Sequence, residues 1–157
     1  MGASCYFIGH REAGKDVVPA LKEAVERHIV DYGVTDFFVG HYGGFDSIAA
    51  GAVMEAKARY PEIQLMLVLP YHPAIHPVEK PKGFDSTYYP WEDEKVPKRL
   101  AIIKTNQRMV DTCDYLITYA YHFLGGTGQI LEYARKREDR GLIVVTNLAR
   151  LEKPDAP

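Results

Sequence analysis

The stretch of this chain best suited to chemistry is Gly125-Gly126-Thr127-Gly128, followed by a carboxylate at Glu132. Asp114 to Tyr119, just before it, reads as a strand, and Gln129 to Arg137, just after it, reads as a helix. A strand, a glycine-rich turn and a helix start together present backbone N–H groups and a positive helix end to an anion such as phosphate. A side chain on either glycine would hold that anion off the backbone. Glu132, a turn further on, is badly placed to bind phosphate. It suits a hydrogen bond to a ribose hydroxyl, or proton transfer as a catalytic carboxylate.

The same layout occurs twice more. Cys5-Tyr6-Phe7-Ile8 reads as a strand running into Gly9-His10-Arg11. Asp36 to Val39 runs into Gly40-His41-Tyr42-Gly43-Gly44-Phe45-Asp46. His10, Arg11 and His41 are candidate ligand contacts, with Gly9, Gly43 and Gly44 letting backbone come close. Asp46 serves as a contact or as the N-cap of the helix after it, the cap being the stronger reading. Ligands of open parallel sheets bind where such loops converge, at the carboxyl ends of the strands. Three of these loops in one chain point to a nucleotide-like ligand, and no cofactor is called for. His72 and His76 invite a metal reading, but prolines around them break helical spacing and no cysteine or carboxylate cluster completes a ligand set, so no metal site is expected.

The elements that must position these loops follow from the apolar pattern. Val17, Leu21, Ala24, Val25 and Ile29 recur at helical spacing, with Asp16 as a candidate cap and Gly33 as the stop. A second helix, from about Asp46 to Tyr60, is rich in alanine and suited to lying close on a sheet. Gln64 to Leu69 is an uninterrupted apolar strand, as when helices cover both faces. Lys98 to Asp111 reads as a helix, and Leu142 to Thr146 as a last strand. The alternation predicts an α/β, Rossmann-like, doubly wound and mainly parallel sheet of at least five strands, with helices on both faces.

Length and composition bound the rest. The 157 residues predict a single domain over residues 1–150 and a frayed tail over 151–157. The 46% apolar content suffices for a core. A net charge of −2 argues against nucleic acid as a partner. No apolar run reaches membrane-spanning length, no signal segment opens the chain, and two cysteines, Cys5 and Cys113, make no disulfide framework, which together predict a cytoplasmic protein. Residues 71–97 hold five of the ten prolines, with Tyr71, Phe84, Tyr88, Tyr89 and Trp91. They cannot form a regular helix or a central strand. They leave the third strand at its carboxyl end and read as a lid-like insertion over the site. Tyr88, Tyr89 and Trp91 suit stacking on a base or packing within the lid.

Cys5 to Arg11, Gly43-Gly44-Phe45-Asp46, Asn106 to Asp111, Cys113 to Ile117 and Gly125-Gly126-Thr127 come in an order and spacing that resembles the YpsA-like branch of the SLOG superfamily, over about residues 4 to 147. The resemblance implies a Rossmann-like fold and a homo-oligomer, most simply a dimer. It also adds Asn106 and Arg108 to the ligand contacts. The superfamily includes phosphoribohydrolases, sensors of nucleotide-derived signals and the DNA-processing protein DprA. Against the phosphoribohydrolase motif Pro-Gly-Gly-x-Gly-Thr-x-x-Glu, this chain matches at Gly125, Gly126, Gly128 and Glu132. Leu124 and Gln129 replace the proline and the threonine. Thr105 stands where that branch has an arginine. The resemblance therefore implies a binding or sensing module for a nucleotide-derived small molecule, ahead of an enzyme cleaving an N-glycosidic or phosphoribosyl bond with Glu132. A nucleic-acid-associated protein of the DprA kind comes third, because the chain shows an acidic balance and no basic stripe.

Overall fold

The computed structural model describes residues 2–40, 43–91, 96–121 and 125–149. Six strands form one sheet: β1 (Ala3–Gly9), β2 (Val34–Val39), β3 (Gln64–Val68), β4 (Ser86–Tyr88), β5 (Tyr115–Tyr119) and β6 (Val144–Asn147). Their order is β4-β3-β2-β1-β5-β6, and every neighbouring pair is parallel. Among the described residues four α-helices connect them: α1 (Val18–Val30), α2 (Gly44–Lys57), α3 (Ala101–Thr112) and α4 (Gly125–Asp139). This is the Rossmann-like α/β arrangement that the alternation predicts.

Side chains of a strand alternate between faces, and here each face meets its own pair of helices. Cys5, Phe7, Phe37, Leu65 and Ile117 pack with Leu21 and Val25 of α1 and Ala49 and Val53 of α2. Tyr6, Val68 and Leu116 pack on the other face with Met109 and Val110 of α3 and Ile130 and Leu131 of α4. The alanines of α2 let it approach closely, with Ala49 fully buried and Ala56 nearly so. β4 arises inside the proline-rich segment and joins the sheet edge, where a strand need not donate on both sides. Asp85 anchors it: the Asp85 carboxylate accepts from the Leu65 N–H at 2.8 Å and pairs with Lys57.

The helix starts differ from the sequence reading: α4 begins at Gly125, four residues before Gln129, so the glycines form its first turn, and α3 begins at Ala101 after a 3-10 turn over Lys98–Leu100. A short 3-10 turn, Lys15–Val17, precedes α1, and Val17, not Asp16, is the residue before the helix. The turn's own bond, Val17 N–H to the Gly14 carbonyl at 3.1 Å, takes over the capping task. Helix α2 starts two residues before Asp46, with Gly43 at the cap position and no side-chain cap. The carbonyls of Arg11 and Gly43 accept the N–H groups of Gly44 and Ser47 at 2.9 and 3.3 Å, so no capping carboxylate is needed. Asp46 is left in the first turn of α2, beside the positive end of the helix. Gly33 does end the α1 region, in the left-handed conformation at φ 69°.

Candidate functional site

From β1 the chain moves outward through β2 to β4, then returns to β5 on the other side of β1. The strand order therefore reverses between β1 and β5, which splays the loops there and leaves a crevice. A cavity of about 440 Å³ occupies this place, at the carboxyl ends of β1, β2 and β5. Gly9, His10, Arg11 and Glu12 line it from β1, and Gly40, Gly43 and Asp46 from the β2–α2 connection. Gly125, Gly126 and Thr127 line it from α4, and Ile102 and Asn106 from α3. Most of the residues that the sequence marks as ligand contacts are thus brought together from four separate stretches of chain.

The glycines divide by role. A Cβ on Gly9 would lie 2.4 Å from Cγ of the fully buried Phe45, so this glycine admits the Phe45 ring against β1. A Cβ on Gly43 would meet Arg11 Cγ at 2.6 Å, and one on Gly44 would meet the Arg11 carbonyl at 2.6 Å. These two let the α2 start lie directly on the β1 loop, held by the Gly44 N–H to Arg11 carbonyl bond. Gly125 and Gly126 are different: among the described residues, no atom beyond their chain neighbours and their own helix turn lies within 4 Å of a Cβ built on either. Gly125 has φ 78°, which turns the chain from the β5 loop into α4. The first N–H groups of a helix have no partner within it, and here they border open space rather than packed protein. The Thr127 hydroxyl donates to the Gly9 carbonyl at 3.3 Å and ties the helix start to β1.

His10 is 4% exposed. Its N–H donates to the Tyr119 carbonyl at 3.0 Å, and its ring meets Tyr121 edge-on with centroids 4.5 Å apart. The Tyr121 hydroxyl donates to Glu12 at 2.9 Å, and this bond, aided by desolvation, raises the phenol's pKa and keeps it a donor. Arg11 is exposed at the rim. With Arg11 set against Glu12 and Asp46, the side-chain charge of the cavity is mixed, so an anion there depends on backbone donors.

Several sequence candidates lie elsewhere. The Glu132 side chain is 70% exposed, pairs with Lys136 at 3.7 Å on the outer face of α4, and is not part of the cavity lining. Gly44 and Gly128 are not in the lining either; Gly128 is buried in the first turn of α4. Arg108 is exposed, with its guanidinium 5.4 Å from the Trp91 ring centre. Trp91 in turn donates from Nε1 to the hydroxyl of the buried Thr105 at 3.4 Å. His41 lies outside the described residues. His72 is used locally, its Nδ1 accepting the Ala74 N–H at 3.0 Å. Among the described residues no group of three His, Cys, Asp or Glu could hold a metal ion. Both thiols are buried, and burial pushes Cys5 well above its ordinary pKa and Cys113 up to about 12, so neither is a thiolate nucleophile.

Sequence reasoning missed Tyr6. It sits on β1, 4% exposed, and its hydroxyl donates to Asn106 Oδ1 at 2.5 Å inside the cavity. A tyrosine on a strand buried on both faces must find a hydrogen-bond partner, and that was the available signal.

No helix among the described residues is long and apolar enough to cross a membrane. No protein-family model and no curated protein sequence matches the chain. Among solved structures it is similar to the DNA processing protein A from Helicobacter pylori, described for its single-stranded DNA binding mode. The TM-score is 0.53 at 14% identity, over 94% of this chain and 77% of that one. The likeness extends to the Rossmann-like fold, which both chains have.

The likeness to a protein that binds single-stranded DNA also corrects two expectations from the sequence. The small-molecule sensing module, with its nucleotide-cleaving alternative, is set aside, and so is the argument against nucleic acid as a partner. The argument from net charge failed because it sums over the whole surface. Residues 98–108 carry Lys98, Arg99, Lys104 and Arg108 with no carboxylate among them, and all four are exposed. A glycine turn at a helix start, likewise, accepts a phosphodiester as well as a free nucleotide.

Proposed function

We propose that this protein binds single-stranded nucleic acid, with one backbone phosphate on the amino end of α4 at Gly125-Gly126. The observation that carries the reading is the open space above those two glycines in a cavity at the switch point between β1 and β5. The strand would leave the cavity along the described part of the insertion, residues 71–91, and the first turns of α3. Support for this path comes from cations set beside aromatic rings: Lys98 lies 5.9 Å from the Tyr71 ring centre and Arg108 lies 5.4 Å from that of Trp91. His72 and Tyr89 meet edge-to-face nearby, with centroids 5.2 Å apart. Aromatic faces that stack on bases, alternating with cations that track phosphates, are what single-strand binding requires. The kinship we propose with it is to the YpsA-like branch of the SLOG superfamily, on the strength of Gly9-His10-Arg11 and Gly43-Gly44-Phe45-Asp46.

The test is fluorescence anisotropy with a labelled single strand of about 20 nucleotides, a duplex of the same sequence and a mononucleotide. The single strand should bind best. Its affinity should fall with salt, with a log–log slope of about −1.4 if two phosphates are neutralised. Absence of single-strand binding at low salt, or equal binding of the mononucleotide, would refute the reading.

A further inference from the structure

The cavity has two unlike halves. Gly125, Gly126 and Thr127 offer a phosphate the backbone donors of the α4 start, with Arg11 offset by the carboxylates of Glu12 and Asp46. Tyr6, Ile8 and Ile102 make an apolar side, and Asn106 supplies an amide there. An unrestrained asparagine favours adenine, because its amide accepts from the exocyclic amine while donating to a ring nitrogen. Asn106 is restrained. The Tyr6 hydroxyl donates to Oδ1 at 2.5 Å, and Tyr6 is held by burial in β1, so the oxygen edge of the amide is engaged and its orientation fixed. Asn106 lines the cavity, and no hydrogen bond from Nδ2 to a described residue is present, so that edge of the amide is left as a donor.

We propose that the Tyr6–Asn106 pair makes this half of the cavity a base-reading subsite that takes a keto-bearing base, thymine or guanine, in preference to adenine. The inference rests on the single-strand reading above. A base carbonyl accepts from Nδ2 while the ring lies against Ile102 and Tyr6. Adenine can use one ring nitrogen in the same way, but it loses the second bond, because Oδ1 is already occupied. Its amine then sits desolvated without an acceptor, which is the costly outcome.

The experiment measures affinity for oligothymidylate and oligoadenylate of equal length in three proteins. Adenine strands stack on themselves, but this contribution is common to all three and cancels when the ratio of the two affinities is compared between proteins. The thymine-to-adenine affinity ratio should be about two- to tenfold higher in the wild type than in Asn106→Ala, the range set by one net hydrogen bond. Tyr6→Phe releases the amide to rotate, so the preference should move toward adenine through a gain in adenine affinity. Asn106→Ala should abolish the preference through a loss on thymine. The half-buried Asn106 and buried Tyr6 call for a melting curve on each variant. An unchanged ratio in a Tyr6→Phe protein that melts cooperatively overturns the proposal. A ratio that is the same in the wild type and in a cooperatively melting Asn106→Ala overturns this inference alone. Binding of neither overturns the single-strand reading and this inference with it.

Discussion

The two glycines at the start of α4 are adjacent and both exposed, yet they should respond oppositely to alanine. Gly125 has φ 78°, where an L side chain is strained. A left-handed alanine costs roughly 1–2 kcal/mol. Gly126 has no positive φ, and among the described residues no atom beyond its chain neighbours and its own helix turn lies within 4 Å of its would-be Cβ. Alanine there meets nothing and reduces the entropy of the unfolded chain, a gain of up to about 1 kcal/mol. For a chain of this size each kcal/mol moves Tm by about 2–4 °C. Thermal unfolding followed by circular dichroism should therefore show Gly125→Ala down by roughly 2–8 °C, and Gly126→Ala unchanged or up by as much as about 4 °C. Gly126→Leu should likewise fold, because its side chain enters the cavity rather than the core. It should lose single-strand affinity by about tenfold to a hundredfold, the worth of one charge-assisted hydrogen bond of roughly 1.5–3 kcal/mol. A destabilised Gly126→Ala protein would mean that the space above α4 is not open. A stable Gly126→Leu protein that binds single strands as tightly as wild type would show that no phosphate sits at this helix start.

Three other outcomes follow from particular contacts. Gly9→Ala forces a methyl to 2.4 Å from the Phe45 ring, and overpacking of this kind should cost about 1–3 kcal/mol in urea unfolding; a neutral result would mean that Phe45 moves freely. Burial holds the His28 imidazole below its ordinary value of 6.5, against the opposing bond from Nδ1 to the Ala24 carbonyl. The unfolded chain then takes up the proton first, so stability should be full above about pH 6.5 and fall as pH drops through the interval down to the lowered folded value. His28→Phe should flatten that interval in denaturation curves at stepped pH, and an unchanged slope would sink the assignment. Arg108→Ala should weaken single-strand binding and make its salt slope shallower by about 0.7, whatever the base; a slope equal to wild type would place the strand elsewhere.

How much of this was legible in the sequence depends on the range over which each signal acts. The strand and helix pattern is local and was readable, because period-2 and period-3.6 burial act within a few residues. The doubly apolar run at Leu65–Leu69 already pointed to a covered parallel sheet. The left-handed turn at Gly33 also followed from chain position alone. Helix starts were less legible, since Asp16 and Asp46 look like caps until the carbonyls of Gly14 and Arg11 arrive from the backbone to do their work. The glycines show the same divide. Sequence marks Gly9, Gly43, Gly44, Gly125 and Gly126 alike. Only the tertiary structure separates those that admit Phe45 and Arg11 from those that open onto the cavity, because the distinction lies in which distant atoms approach. Glu132 and Asn106 are the clearest cases. Spacing favoured the carboxylate, but α4 starts at Gly125, so Glu132 lies about two turns along the helix, exposed beside Lys136. The Tyr6 partner of Asn106 stands a hundred residues away in the chain and meets it only because β1 and α3 share one face of the sheet.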